Sequence, residues 1–333
     1  MICRHGKSFF MGRDMTASAD TLSRWLDPEI RAFIARTNSF YPDDANAGGI
    51  PESRRLYARL CAGFRAPRPA GVSVADSPVR AAWGTIPVRR YTPPAQSHAA
   101  ALLYCHGGGF ILGGLDSHDD VCAELCHGAG IEVVSVDYRL APEHVHPAAL
   151  DDVEAAYHAL AVDGRNVLVG GDSAGGRLAA ALCRRLLRRG TAQPLGQVLL
   201  YPGLSSDPLR VVGTRAATAP GLSAQDCAYY GEALAGGAER VPVGDAEFAP
   251  LDAEDFAGLA PAAIFAAGYD PLRQDSEDYA AVLHAAGVPV LYRDDPGLVH
   301  GWLRARHMSG LAARAFAGVI RATAALAEGG LPA

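Results

Sequence analysis

Over residues 16–65 the apolar positions recur every three or four residues. Leu22, Trp25 and Leu26 come first, then Ile30, Phe33 and Ile34, then Leu56, Leu60 and Phe64. That spacing predicts amphipathic helices, interrupted at Tyr41-Pro42-Asp43-Asp44 and at Gly48-Gly49. These helices precede every strand, so they are expected to pack outside the sheet or to form a lid. Arg65-Ala66-Pro67-Arg68-Pro69 reads as a connector. Beyond it the pattern changes to short apolar runs separated by helical periods. Residues 72–79 and 86–91 read as a hairpin joined around Trp83-Gly84. Further strands are expected at 100–105, 131–136, 166–170, 197–201, 262–267 and 288–292. Helices are expected at 119–127, 150–161, 177–189, 272–286 and 309–327. Strands alternating with helices predict one mostly parallel eight-stranded sheet with helices on both faces. Residues 203–250 exceed what a crossover needs and read as an insertion folded over the site. Its small and apolar residues (Ala216, Ala217, Ala219, Leu222, Ala233, Leu234) suggest an apolar pocket.

Composition narrows the classes. The chain has 333 residues, 49% hydrophobic and 20% charged, which is globular. The net charge is −6 and no basic block exists to neutralise phosphates, so nucleic acid is not an expected partner. No apolar run approaches the ~20 residues of a bilayer span, so none is expected. Residues 1–14 read as a disordered lead, with Met15 as an alternative start. The first twenty residues lack the apolar core of about 7–15 residues that marks a signal peptide, so a cytoplasmic location is expected. The seven cysteines, an odd number, are then expected to be reduced. Cys122 and Cys126 lie four apart on one predicted helix. With no second Cys/His pair at a zinc spacing they read as packing residues, and no metal is expected.

The chemistry centres on Gly171-Asp172-Ser173-Ala174-Gly175, a G-x-S-x-G between a predicted strand and a predicted helix. Such a turn strains its central residue and presents the serine at the carboxyl edge of the sheet. The helix N-terminus behind it favours negative charge. A serine hydroxyl needs a base, and the base needs an orienting group. In an open α/β sheet these partners are expected in loops after later strands. Among the histidines near the C-terminus, His284 lies within a helix and His307 at the start of one. His300 stands in the loop after the last predicted strand, within Asp294-Asp295-Pro296-Gly297-Leu298-Val299-His300-Gly301. Asp270 follows the preceding strand and is also a plausible helix cap before Pro271. Asp294 and Asp295 are its rivals. The order Ser173, Asp270, His300 is the α/β-hydrolase order. His106-Gly107-Gly108-Gly109 follows the third strand, where backbone N–H groups can approach a developing oxyanion. Gly107 and Gly108 are assigned as donors, with the N–H of Ala174. A dinucleotide loop does not fit, because G-x-G-x-x-G from Gly107 and Gly109 would need glycine where Leu112 stands.

Taken together, four motifs resemble the hormone-sensitive-lipase-like family of α/β-hydrolases, the bacterial family IV esterases. They are His106-Gly107-Gly108-Gly109, Asp137-Tyr138-Arg139-Leu140-Ala141-Pro142-Glu143, Gly171-Asp172-Ser173-Ala174-Gly175-Gly176, and Asp270-Pro271-Leu272 with His300-Gly301. The resemblance covers about residues 70–325 and implies an α/β-hydrolase fold with a helical cap. The implied division is a lead and N-terminal cap at 1–70, core at 71–202, a cap insertion at 203–250 and core at 251–333. It implies Ser173, Asp270 and His300 as triad and the glycine loop as oxyanion hole. His106, Gly109, Asp172 and Glu143 would be supports. The implied activity is hydrolysis of short-chain acyl esters through an acyl-enzyme, with a small-molecule ester as substrate and no cofactor. Amide or carbamate hydrolysis on the same triad and a non-catalytic small-molecule receptor of this fold are the alternatives. A homodimer is expected by analogy. Three departures stand out: Arg177 replaces a frequent Asn, His146 replaces a usual Phe, and Gln274-Asp275 replaces an acidic pair.

Overall fold

The computed structural model describes residues 26–42 and 48–331. Leu22, Trp25, the lead over 1–14, Met15 and the Asp43-Asp44 interruption lie outside the described residues.

Two helices come first: α1 (Pro28–Asn38), capped by the Asp27 carboxylate accepting from the Glu29 N–H, and α2 (Gly49–Phe64). A hairpin of β1 (Ser73–Ala81) and β2 (Gly84–Thr92) follows. Then come β3 (Ala101–Cys105), α3 (Asp119–Ala129), β4 (Glu132–Val136), α4 (Ala148–Leu160), β5 (Val167–Asp172) and α5 (Ala174–Arg188). The chain continues through β6 (Gln197–Leu200), α6 (Ala224–Ala235), β7 (Ala262–Tyr269), α7 (Arg273–Ala285), β8 (Val290–Val299) and α8 (Gly310–Ala327).

The eight strands form one sheet in the order β1-β2-β4-β3-β5-β6-β7-β8. β2 runs antiparallel to β1 and to β4, and every other pairing is parallel. The fold is the α/β-hydrolase fold expected from the sequence. The central strands β3 to β6 are buried at every position because helices cover both faces. Alternate residues of β3 divide between the two cores: Leu102 and Tyr104 join the layer of α1, α2, α3 and α8, whereas Leu103 and Cys105 join that of α4, α5 and α7. By length and composition alone α8 could span a bilayer. Here one of its faces, Ala312, Ala315, Phe316, Val319 and Ala322, is buried in the core.

The last strand corrects the sequence reading. β8 runs to Val299, through Asp294, Asp295 and Pro296, which the sequence reading places in the loop after a strand ending at 292. β8 is an edge strand, where a proline with no N–H to donate is tolerated. Its pairing with β7 shifts register between Ala267 and Tyr269. The consequence is functional: His300 stands directly at the end of a strand rather than within a long loop.

Candidate active site

Ser173 is the single residue between β5 and α5, with φ 55° and ψ −119°. A non-glycine residue held there carries strain on the order of 1–3 kcal/mol, which surrounding contacts must offset. Its N–H donates to the Leu200 carbonyl over 2.9 Å, and its carbonyl accepts from the Arg177 N–H at 3.1 Å. A Cβ on Gly175 would lie 1.9 Å from the Cys105 carbonyl oxygen. Only glycine lets the first turn of α5 rest on the end of β3.

The Ser173 hydroxyl lies 3.0 Å from His300 Nε2. On the ring's other side, Nδ1–H donates to Asp270 Oδ2 over 2.7 Å. That bond fixes the tautomer and leaves the Nε2 lone pair facing the serine. Asp270 is fully buried, and its Oδ1 accepts from the Leu272 N–H at 2.8 Å. The carboxylate therefore orients both the imidazole and the start of the following helix. The Tyr201 ring packs edge-on against His300 at 4.9 Å between centroids. The rival residues are engaged elsewhere. Asp294 accepts from Arg273, Asp295 accepts from Arg293, His307 pairs with Glu124, and His284 is exposed on α7.

The glycine loop requires one correction. The Gly107 N–H donates to Asp172 Oδ1 at 2.9 Å. It is therefore committed to the protein and unavailable to a substrate oxyanion. Gly108 and Gly109, by contrast, line the cavity with Ser173. Gly109 also has φ 60°, and a Cβ there would lie 2.3 Å from the Tyr230 ring of α6. It belongs with the cavity wall as well as with the supports.

Asp172 organises the loop from below. Tyr104 Oη–H donates to Oδ1 at 2.8 Å, and His118 Nε2 lies 3.2 Å from the same oxygen. Burial would raise this carboxyl, but the charge and hydrogen bond of His118 and the Tyr104 hydroxyl outweigh it. They hold it well below the usual carboxylate range. His106 is fully buried, stacked on Tyr138 at 4.3 Å, and its Nδ1–H donates to the Gly107 carbonyl over 2.9 Å. Burial, with His118 nearby, pushes its pKa down to about 4. Glu143 receives a two-pronged bond from Arg54 of α2, at 2.9 and 2.8 Å. Arg54 also donates to the Ile111 carbonyl at 2.8 Å. This ties the N-terminal helices to the segment around Glu143. His118, Tyr104, Tyr201 and Arg54 were not singled out in the sequence. Their roles arise from contacts across long stretches of chain, for which no local signal exists.

A cleft of about 840 Å³ opens over Ser173. Phe33, Ile34 and Leu60 of α1 and α2 form one wall, and Leu222 and Tyr230 another. Of the small and apolar residues expected to line it, Leu222 does so. Ala219 and Leu234 are buried in packing instead. His146 packs edge-on against Phe248 at 5.3 Å, and Asp275 accepts the N–H groups of Leu204 and Ser205 at 2.6 and 2.9 Å. Cys122 and Cys126 are buried in α3, as packing residues are.

A strand–serine–helix elbow on a mixed sheet, with a histidine and a carboxylate delivered by the last two strands, defines an α/β-hydrolase. A family model described as the alpha/beta hydrolase fold matches residues 102–304. The chain is 36% identical over 317 residues to the carboxylic ester hydrolase LipN of Mycobacterium tuberculosis, spanning 90% of this chain and 81% of that one. It is 38% identical over 233 residues to the ethyl acetate hydrolase of Pseudomonas putida, spanning 66% and 72% respectively. A solved structure described as a bacterial heroin esterase superposes with a TM-score of 0.80 at 30% identity, covering 93% of this chain and 99% of that one. The chain belongs to the α/β-hydrolase fold family, in its hormone-sensitive-lipase-like branch, and is a hydrolase.

Proposed function

We propose that the protein is a serine carboxylesterase that cleaves short-chain acyl esters through an acyl-enzyme. The observation that carries the reading is the relay from the Ser173 hydroxyl through His300 to Asp270, at 3.0 and 2.7 Å. Those separations lie within the reach a nucleophile and its base require. His300 accepts the Ser173 proton as the oxygen attacks the ester carbonyl, and Asp270 stabilises the imidazolium. The oxyanion is received by the N–H groups of Gly108, Gly109 and Ala174. Gly107 is left out of that set because its N–H is already engaged. His300 then protonates the departing alcohol, and a water activated by the same ring releases the acid.

Helices α1 and α2, together with residues 203–250, serve as the cap, since both contribute to the cleft wall. The small cavity beside Ser173, closed in by Phe110, Leu222, Tyr230 and Arg177, supports a short acyl chain. So does the named activity of the Pseudomonas putida relative, whose substrate carries a two-carbon acyl group.

The test is a p-nitrophenyl ester series from acetate to palmitate, run on the wild type. Turnover that peaks at short chains supports the reading. Equal or rising turnover toward palmitate would remove the short-chain assignment.

A further inference from the structure

Arg177 lies four residues beyond Ser173, in the first turn of α5, a rise of about 6 Å along the axis. Its side chain forms the end of the small cavity that also contacts Ser173, Ala174 and Phe110. On its far side lies a second cavity, of about 640 Å³, that shares Arg177, Cys227 and Gly231 with the first. The guanidinium is therefore a partition between the nucleophile's cavity and a more distant one. It is held in place by donation to the carbonyls of Gly203 and of Ser205, the latter at 3.0 Å. It is also sandwiched between Phe110 and Phe248, 5.6 and 5.7 Å from their ring centroids.

Arg177 has no ion-pair partner among the described residues. Asp275 is the strongest favourable charge on it, but that carboxylate is bonded to Arg210 at 2.6 Å and to two backbone N–H groups. The Arg177 Nη1 group makes no hydrogen bond among the described residues. Arg177 is half-buried, so its charge is only partly solvated, and desolvation lowers this guanidinium's pKa. The fork of a guanidinium matches a carboxylate with two parallel hydrogen bonds. A ligand carboxylate would supply both the missing charge and the missing acceptor.

We propose that Arg177 makes the cavity beside Ser173 a subsite for the free carboxylate of an acidic ester, so that half-esters of short dicarboxylic acids are preferred substrates. The proposal rests on the esterase reading above. The ester carbonyl sits at Ser173 while the distal carboxylate meets Arg177, and the partition excludes chains too long to fit between them.

The test compares each half-ester with a neutral ester of the same length: monomethyl succinate against methyl pentanoate, and monomethyl glutarate against methyl hexanoate. Hydrolysis is followed by proton release for the wild type, Arg177→Met and Arg177→Lys. The readout is the ratio of kcat/KM for acid over neutral substrate within each protein, which does not depend on how much enzyme is folded. The wild type is expected to favour the half-ester, and Arg177→Met to lower the ratio about 10- to 100-fold, the range of a hydrogen bond to a charged group. Arg177→Lys is expected to fall between them. A wild-type ratio at or below one, or a ratio unchanged in Arg177→Met, overturns the subsite while leaving the esterase reading intact. Failure of the wild type to cleave any of the four esters would count against the esterase reading itself.

Discussion

The Gly107 N–H donates to Asp172 Oδ1 over 2.9 Å, joining the glycine loop after β3 to the residue just before the nucleophile. The two segments that must meet at the substrate carbonyl are thus connected by a buried, charged hydrogen bond. The same carboxylate takes the Tyr104 hydroxyl and the His118 ring.

Asp172→Asn keeps the shape of the side chain but removes its charge and presents an N–H group to one of three donors. It should cost about 1–3 kcal/mol of stability, the scale of a lost charged hydrogen bond. It should also lower kcat more than it raises KM, because the Gly108 and Gly109 N–H groups lose their support. Denaturant unfolding and steady-state kinetics on one preparation test both effects. Unchanged kcat would detach Asp172 from the oxyanion loop.

His106 gives a pH dependence of defined sign. Its folded pKa is lowered to about 4 from an ordinary 6.5. Between those values the unfolded chain binds a proton that the native state refuses, so stability falls as the pH is lowered through this window. The full loss is on the order of 3 kcal/mol, reached near the lower end. Below it the depressed Asp172 carboxyl adds a second loss, present as stability above the usual carboxylate range and removed as the pH falls further. Urea unfolding at pH 7, 5.5 and 4.5 should show the decline. His106→Gln should be less stable at pH 7 but flatter across the series, and an equally steep decline would assign the proton elsewhere.

Asp270 is fully buried and fixes the His300 tautomer through a 2.7 Å bond. Asp270→Asn should therefore lower kcat by about 10⁴-fold, the effect of a wrong tautomer in a triad. KM should change little. A loss below tenfold would mean that another group orients His300.

Gly175→Ala tests the elbow by the sign of its effect. Helix propensity alone favours alanine by about 1 kcal/mol. The new Cβ would meet the Cys105 carbonyl oxygen at 1.9 Å and the His106 carbonyl oxygen at 2.7 Å. Backbone at that distance cannot yield without moving β3. A destabilisation of about 3 kcal/mol or more is expected, with reduced activity because the glycine loop follows directly. A stabilised variant would contradict the close approach.

Much of this arrangement was legible in the sequence, for identifiable reasons. The alternation of short apolar runs with helical periods marked the strands and helices, since a sheet covered on both faces demands it. Ser173 was marked by its flanking glycines, and Asp270 and His300 by their places after the last two strands. Three features were not legible. Spacing alone cannot say which N–H of three successive glycines faces the substrate, and Gly107 turned out to face Asp172. The length of β8 was hidden because Asp294-Asp295-Pro296-Gly297 carries turn residues, and only its edge position makes them compatible with a strand. The His118–Asp172 pair spans 54 residues and leaves no local trace.

The central claim is that Ser173, activated by His300, forms a covalent intermediate. The most direct measurement is intact-protein mass spectrometry after exposure to diisopropyl fluorophosphate, followed by peptide mapping. A single adduct on Ser173 is predicted, forming in step with loss of esterase activity and markedly slower in His300→Ala. An active enzyme that resists the reagent, or an adduct on another residue that accounts for the lost activity, would contradict the account.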